Sequence, residues 1–469
     1  MSTVNFGYGA RTSAGGKDIF IVAPPVFNSS YWVKQIGGSG SDKSVAVASA
    51  SNGDVLLLGT FKDTVDFGGG PVSAVYGVDG FLARYSTNGS YVWSLRLGGT
   101  GDDTPVAIAI DTNDNILVSG VFHGTIDLGG GPFVAGSSGD IFVVKYSSAG
   151  SYLWSKHIQG TYGAVVNDMA SDTSGGFFLT GSIYDGDLGD GTLRDGLFVA
   201  RYSGQGAYLW SKIVSSTSGS PTSVGITVSS TNDVLLIFRH YHSVNPGGGL
   251  LNPVTDGKNT IFIAKYSGSQ GDYLWSERFG GTADVTPWNV AGYEDGGFTV
   301  VGAFTGTADF GGGLVTAISE DVFVATYSSG GAYRWAKHFG DPGVGSTCGL
   351  GVVAAGAGSI VVTGFFQGNV DFGGGIFYGT SHTNTFVASY SNTGAYLWSK
   401  WYGEPVYGLM DTRGTSLAID SAGATIVAGQ FNYSERPVNG QWVPSTIDFG
   451  GGWMTSNGAE DIFLLKLAP

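Results

Sequence analysis

Six aspartates head glycine-rich turns: Asp66, Asp309, Asp371 and Asp448 in DFGGG, Asp127 in DLGGG and Asp187 in DLGDG, with Asn245 holding the same place in NPGGG. Two chemistries are open to carboxylates repeated in this way. A hard cation such as calcium collects several oxygen ligands, and a ring of loop aspartates supplies them. Equally, a leading Asp or Asn bonds the backbone amides just ahead of it, while glycines take positive φ without a Cβ clash. The spacing is not that of a calcium-binding loop, so turn capping is the first reading and calcium held by these aspartates the second. No other cofactor is expected.

Three further places invite chemistry. The run Arg239-His240-Tyr241-His242 puts two histidines on one face if it is a strand, the geometry of a metal pair, but no third ligand stands near in sequence and a solvent-facing edge is the plainer reading. Cys348 has no partner for an intrachain disulfide and reads as a small buried hydrophobe. The stretch NYSERPVNGQWVPST between Phe431 and Ile447 is an insertion carrying Tyr433, Glu435, Arg436 and Trp442, with Trp453 just beyond. Aromatic and charged groups on a long loop suit recognition of a glycan or a protein; the alternative is a loop that covers a seam. Motifs for nucleophilic, zinc-protease or phosphate-loop chemistry are missing, so a non-enzymatic binding or assembly module is expected. The rival is an enzyme, a lyase or hydrolase, with its site in a central channel, where several repeats could bring residues together.

The elements that must position these groups are written in the repeat of Trp32, Trp93, Trp154, Trp210, Trp275, Trp335 and Trp398, spaced 56 to 65 residues apart in phrases such as YLWSK. Residues 45–97 give one unit: VAVASAS, DVLLLGTF, the DFGGG turn, DGFLARYS and YVWSLRLGG. Each run is short, rich in β-branched and aromatic residues and bounded by Gly, Asn, Asp or Ser, which predicts four strands per unit. First strands are made of small residues, as in Val106-Ala107-Ile108-Ala109, and suit a crowded axis; fourth strands carry the Trp and belong outside. Tyr152, Trp154 and Ile158 stand an even number of positions apart, which predicts one shared sheet face. The period and the strand count predict an all-β, seven-bladed β-propeller of four-stranded antiparallel blades. The loops between second and third strands should then lie on the side of Asp102 and Asp103 and of the third-strand starters Asp79, Asp140, Asp195, Asp321 and Asp461, as one acidic face.

The order GG-x-x-D, small strand, NILVSG strand and DIFVVKYSSAGSYLWSK resembles the bacterial SBBP-type β-propeller repeat, and the resemblance covers essentially the whole chain. It implies a propeller fold and an extracellular or cell-surface setting. No catalytic motif comes with it.

Counting strands predicts the closure. The Trp32 strand precedes any first strand and the chain ends on DIFLLKLAP, so the Trp32 strand should complete the C-terminal blade and hide both edges. Third strands number one too many, because Asp18-Ile19-Phe20-Ile21 and Asp461-Ile462-Phe463-Leu464 bracket the chain. Pro24-Pro25 breaks the first copy, so the second is expected in the blade and residues 1–24 outside it, along an edge or lent to another copy in self-assembly. The domain is then 25–469.

Composition agrees with turns and strands, with 81 glycines in 469 residues and aromatics at 13%. A net charge of -15 opposes nucleic acid and anionic membrane at long range. The start MSTVNFGYGARTSAGG has no apolar leader core, and no run of about 18 apolar residues exists to cross a bilayer, so neither secretion by this start nor membrane insertion is expected.

Overall fold

The computed structural model describes residues 3–5, 10–12, 30–341, 345–379, 381–403, 410–432, 435–438, 441–444 and 446–468. Among them the chain is all-β, with a single 3-10 turn at Gly356–Gly358. The first complete unit shows why. Lys43–Ser49, Val55–Asp66, Pro71–Tyr85 and Tyr91–Leu97 pair antiparallel in that order, each ending at a Gly, Asn or Asp turn. Leu57 and Ala83 pack against one neighbouring unit, Leu56 and Leu82 against the other, so alternate residues of one strand fill two different cores. Burying such side chains contributes about 1.5–3 kcal/mol each.

The same four-strand pattern recurs along the chain, and the first strands touch one another in sequence order from Lys43–Ser49 round to Thr412–Ile419, which in turn contacts Lys43–Ser49. In the sheet that begins at Thr412–Ile419 and Thr425–Asn432, the strand Glu460–Leu467 stands third and Ser30–Ile36 fourth. Asp461–Leu467 thus holds the central place that Pro24-Pro25 would have spoiled in the N-terminal copy; Asp18–Ile21 lies outside the described residues. Thr3–Asn5 and Ala10–Thr12 form a hairpin of their own.

The shared face of Tyr152 and Trp154 needs correction. Tyr152 pairs with Tyr146 and Trp154 with the adjacent Lys145, leaving Leu153 as the extra residue of a β-bulge. One extra residue inverts the alternation beyond it. Trp154 and Ile158 therefore pack toward the following sheet while Tyr152 packs toward the preceding one, and the bulged Leu153 faces solvent. Tyr208 and Trp210, Tyr273 and Trp275, and Tyr396 and Trp398 divide in the same way.

A basic side chain on the third strand ties one unit to the next. Lys145 pairs with Asp111 at 2.7 Å and also donates to the Gly204 carbonyl, which accepts from Trp154 as well. Arg201 with Asp172 and Gly268 repeats the arrangement, and Lys466 with Asp420 and the Thr87 carbonyl carries it from the last sheet to the first.

Candidate binding channel

Every first strand carries a β-bulge, at Val45, Val106, Asn167, Val224, Trp288, Leu350 and Thr415. A bulge re-aims its side chain out of the regular alternation. Six of these residues, all but Leu350, line a cavity of about 290 Å³ to which first strands from every unit contribute. Small and aliphatic groups make most of its wall. Trp288 departs from them: its large ring stands 45% exposed, with the Arg239 guanidinium 5.7 Å from the ring centre.

Asp168 is the one ionisable side chain lining this cavity among the described residues. Its carboxylate accepts from the amides of Met169 and Ile226, both at 2.8 Å, and so stitches two first strands together. Burial pushes it up to about 6, against the two amide bonds that favour the charged form. Asn167 beside it accepts from Ser223 at 2.9 Å. The channel thus offers an aromatic surface, amides and hydroxyls, and no acid–base pair.

Residues 92–121 match the SBBP family model, a beta-propeller repeat. They run from a fourth strand through the next first strand into the second. An uncharacterized WD repeat-containing protein, L264, of Acanthamoeba polyphaga mimivirus is 22% identical over 524 residues, covering 87% of this chain; the chain spans 36% of that relative's length. Among solved structures, a protein of unknown function from Dyadobacter fermentans aligns over 93% of this chain and 99% of its own at 10% identity and a TM-score of 0.42. BamB from Moraxella catarrhalis aligns over 93% and 100% at 10% identity and a TM-score of 0.35. At such scores these two carry no argument about function.

The turn residues cap, as expected. Asp66 accepts from the amides of Gly68 and Gly70 at 2.7 and 3.0 Å, and Asp127, Asp187, Asp309, Asp371, Asp448 and Asn245 do the same two and four residues ahead. Each turn crowns a hairpin whose flanking apolar residues, such as Val65 and Phe67, are buried, and whose glycines pass over the fourth-strand Tyr91. The six carboxylates are dispersed one to a unit, and no group of three metal-ligating side chains occurs among the described residues.

Part of the expected acidic face is buried, while Asp66, Asp102, Asp127, Asp195, Asp371 and Asp448 stay exposed. Asp79, Asp140, Asp321 and Asp461 are buried and bonded to Arg96, His157, His338 and Gln35 on the fourth strand. Asp103 is buried too, and desolvation pushes its carboxyl up to about 7. The physical reason is that Asp79, Asp140, Asp461 and Asp103 satisfy loop amides where the chain leaves the sheet, as Asp103 does for Gly99 at 2.6 Å.

The histidine pair is corrected as well. The strand ends at His240, so His240 and His242 do not share a strand face, and their rings lie 5.7 Å apart. His240 is buried rather than at a solvent-facing edge, its Nε2 2.8 Å from the Ser218 carbonyl, and burial lowers its pKa. Cys348 is buried, its thiol pushed up to about 12 by desolvation, as a packing residue would be.

In the insertion, Glu435–Val438 pairs with Gln441–Pro444, setting Pro437 opposite Trp442 in a hairpin that also carries Arg436; Tyr433 lies outside the described residues. Trp453 stands 70% exposed on the separate short pair made by Ile447–Asp448 and Trp453–Met454. Sequence reasoning missed Trp288. Its signal was legible: one large aromatic in a first strand where the other units place Val, Leu, Asn or Thr.

Proposed function

We propose that this chain is a seven-bladed β-propeller, closed by Ser30–Ile36 beside Glu460–Leu467, and that it works as a non-enzymatic binding or assembly module. The exposed ring of Trp288 carries the reading, because a bulge turns this large aromatic into a channel otherwise walled by small groups. Closure is supported by the Thr87 carbonyl, which accepts from both Trp32 at 2.9 Å and Lys466 at 3.2 Å and so joins the two ends of the chain to the first unit. Asp168, engaged by two amides and without a titratable partner in the wall, favours binding over catalysis there.

The ligand is a glycan or a protein, met at the channel and at the insertion hairpin of the last unit, in an extracellular or cell-surface setting. A glycan array and a protein pull-down with the full chain decide between them. Binding lost in Trp288→Ala supports the channel; binding lost in Trp442→Ala with Tyr433→Ala places contact on the insertion. Unchanged binding in both variants overturns both sites. Deleting residues 1–24 should leave a folded ring, with any loss of self-association assigning that segment to assembly.

A further inference from the structure

Two arginines just outside the cavity lining have no ion-paired acid among the described residues. Arg413 stands two residues before the bulge at Thr415, and Arg239 lies directly across from Thr222, which stands two residues before the bulge at Val224. Both therefore belong to one level, about 7 Å beyond the ring of bulged residues. Each guanidinium lies over an aromatic ring, Arg239 at 5.7 Å from Trp288 and Arg413 at 4.9 Å from Phe365. Neither forms an ion pair with a carboxylate among the described residues.

The chain holds 37 acidic and 22 basic residues, and most arginines with described side chains do pair with an acid. Elsewhere Arg84, Arg96, Arg194, Arg201 and Arg334 each have an aspartate, whereas Arg278 donates to the carbonyls of Asn252 and Pro253. Lys43, at the same level as Arg413, is tied to Glu460 at 3.5 Å. Of the nearby acids, Asp168 spends its carboxylate on amides, and Glu320, exposed, acts on Cys348 without pairing Arg413. A cation–π contact draws on the charge of each guanidinium and leaves its N–H donors for a carboxylate, which it can receive in bidentate fashion.

We propose that the channel binds a carboxylated sugar, its carboxylate on Arg239 or Arg413 and its ring against Trp288. The inference rests on the reading of the channel as a binding site. A cavity of about 290 Å³ is at the small end of ligand sites and gives room for a single sugar ring. Trp288 supplies an apolar face, and Asn167, Asn289, Thr415 and Ser416 supply amides and hydroxyls for ring hydroxyls.

Calorimetric titration of the full chain with D-glucuronate and D-glucose tests this. Glucuronate should bind at least about tenfold more tightly than glucose, and Arg239→Gln with Arg413→Gln should remove that preference, with the lysine variants retaining part of it. Thermal melts of each variant must match the parent, so that loss of binding is not loss of fold. Equal affinity for the two sugars, or a preference untouched in the double glutamine variant, overturns the anion claim while leaving the channel as a site. Neither sugar binding overturns the sugar claim, and the Trp288→Ala array result then judges the channel separately.

Discussion

Tyr152 and Trp154, two residues apart in one strand, face different sheets. The bulge at Leu153 lets one short phrase supply an aromatic to each of the two wedges beside it, so every unit grips both neighbours. Replacing Trp154 by Ala should cost about 3 kcal/mol, because the wedge beside the following sheet is left with a cavity. Replacing Leu153 by Ser, at 46% exposed, should change stability by less than about 0.5 kcal/mol. Urea unfolding of the Trp154 and Leu153 variants checks the contrast; equal losses would mean that the ring does not fill the wedge.

The buried pair of Lys145 and Asp111 gives a second expectation. Lys145→Met leaves the Asp111 carboxylate buried without its partner and should cost about 3 kcal/mol. Adding Asp111→Asn should recover much of that, since the uncompensated charge is then gone. A double-mutant cycle measured by urea denaturation decides it, and additive losses would deny the coupling.

Stability should fall as pH rises through the neutral range. Burial raises Asp103 to about 7 and Asp42 and Asp168 to about 6, all above the unfolded value near 4. A raised carboxyl favours its protonated form in the fold, so its contribution is full below about pH 4 and is lost as pH passes 6 to 7. The melting temperature should therefore drop between pH 5 and pH 8, and Asp103→Asn should flatten the drop. Asp172 and Asp420, held below the usual carboxylate range despite burial by bonds that include Arg201 and Lys466, act in the opposite sense and set the acid limit. A melting temperature that climbs from pH 5 to pH 8 would contradict this assignment.

The turn aspartates predict indifference to calcium. Their bonding oxygens are already engaged by two amides each, so Asp309→Ala should cost about 1 kcal/mol through the lost cap, and the loss should be the same with calcium or a chelator. Millimolar calcium should leave the melting temperature of the parent unmoved; a rise that Asp309→Ala abolishes would establish the cation instead.

The sequence by itself determined the repeating unit, because strand and turn are local matters. Runs of Val, Leu and Phe between Gly-rich turns fix four strands, and Asp66 with Gly68 and Gly70 fixes its turn within five residues. It also placed Asp461–Leu467 beside Trp32, since Pro24-Pro25 excludes the other copy. Tertiary structure decided whatever depends on register between strands. Bulges at Leu153 and Trp288 appear only when a strand meets its partner, and each reverses the face that counting by twos predicts. The same holds for Asp79 and Asp103, which composition counts as surface charge and packing turns inward to satisfy loop amides. Arg239 and Trp288, 49 residues apart in the chain, meet only because consecutive sheets pack face to face around the channel.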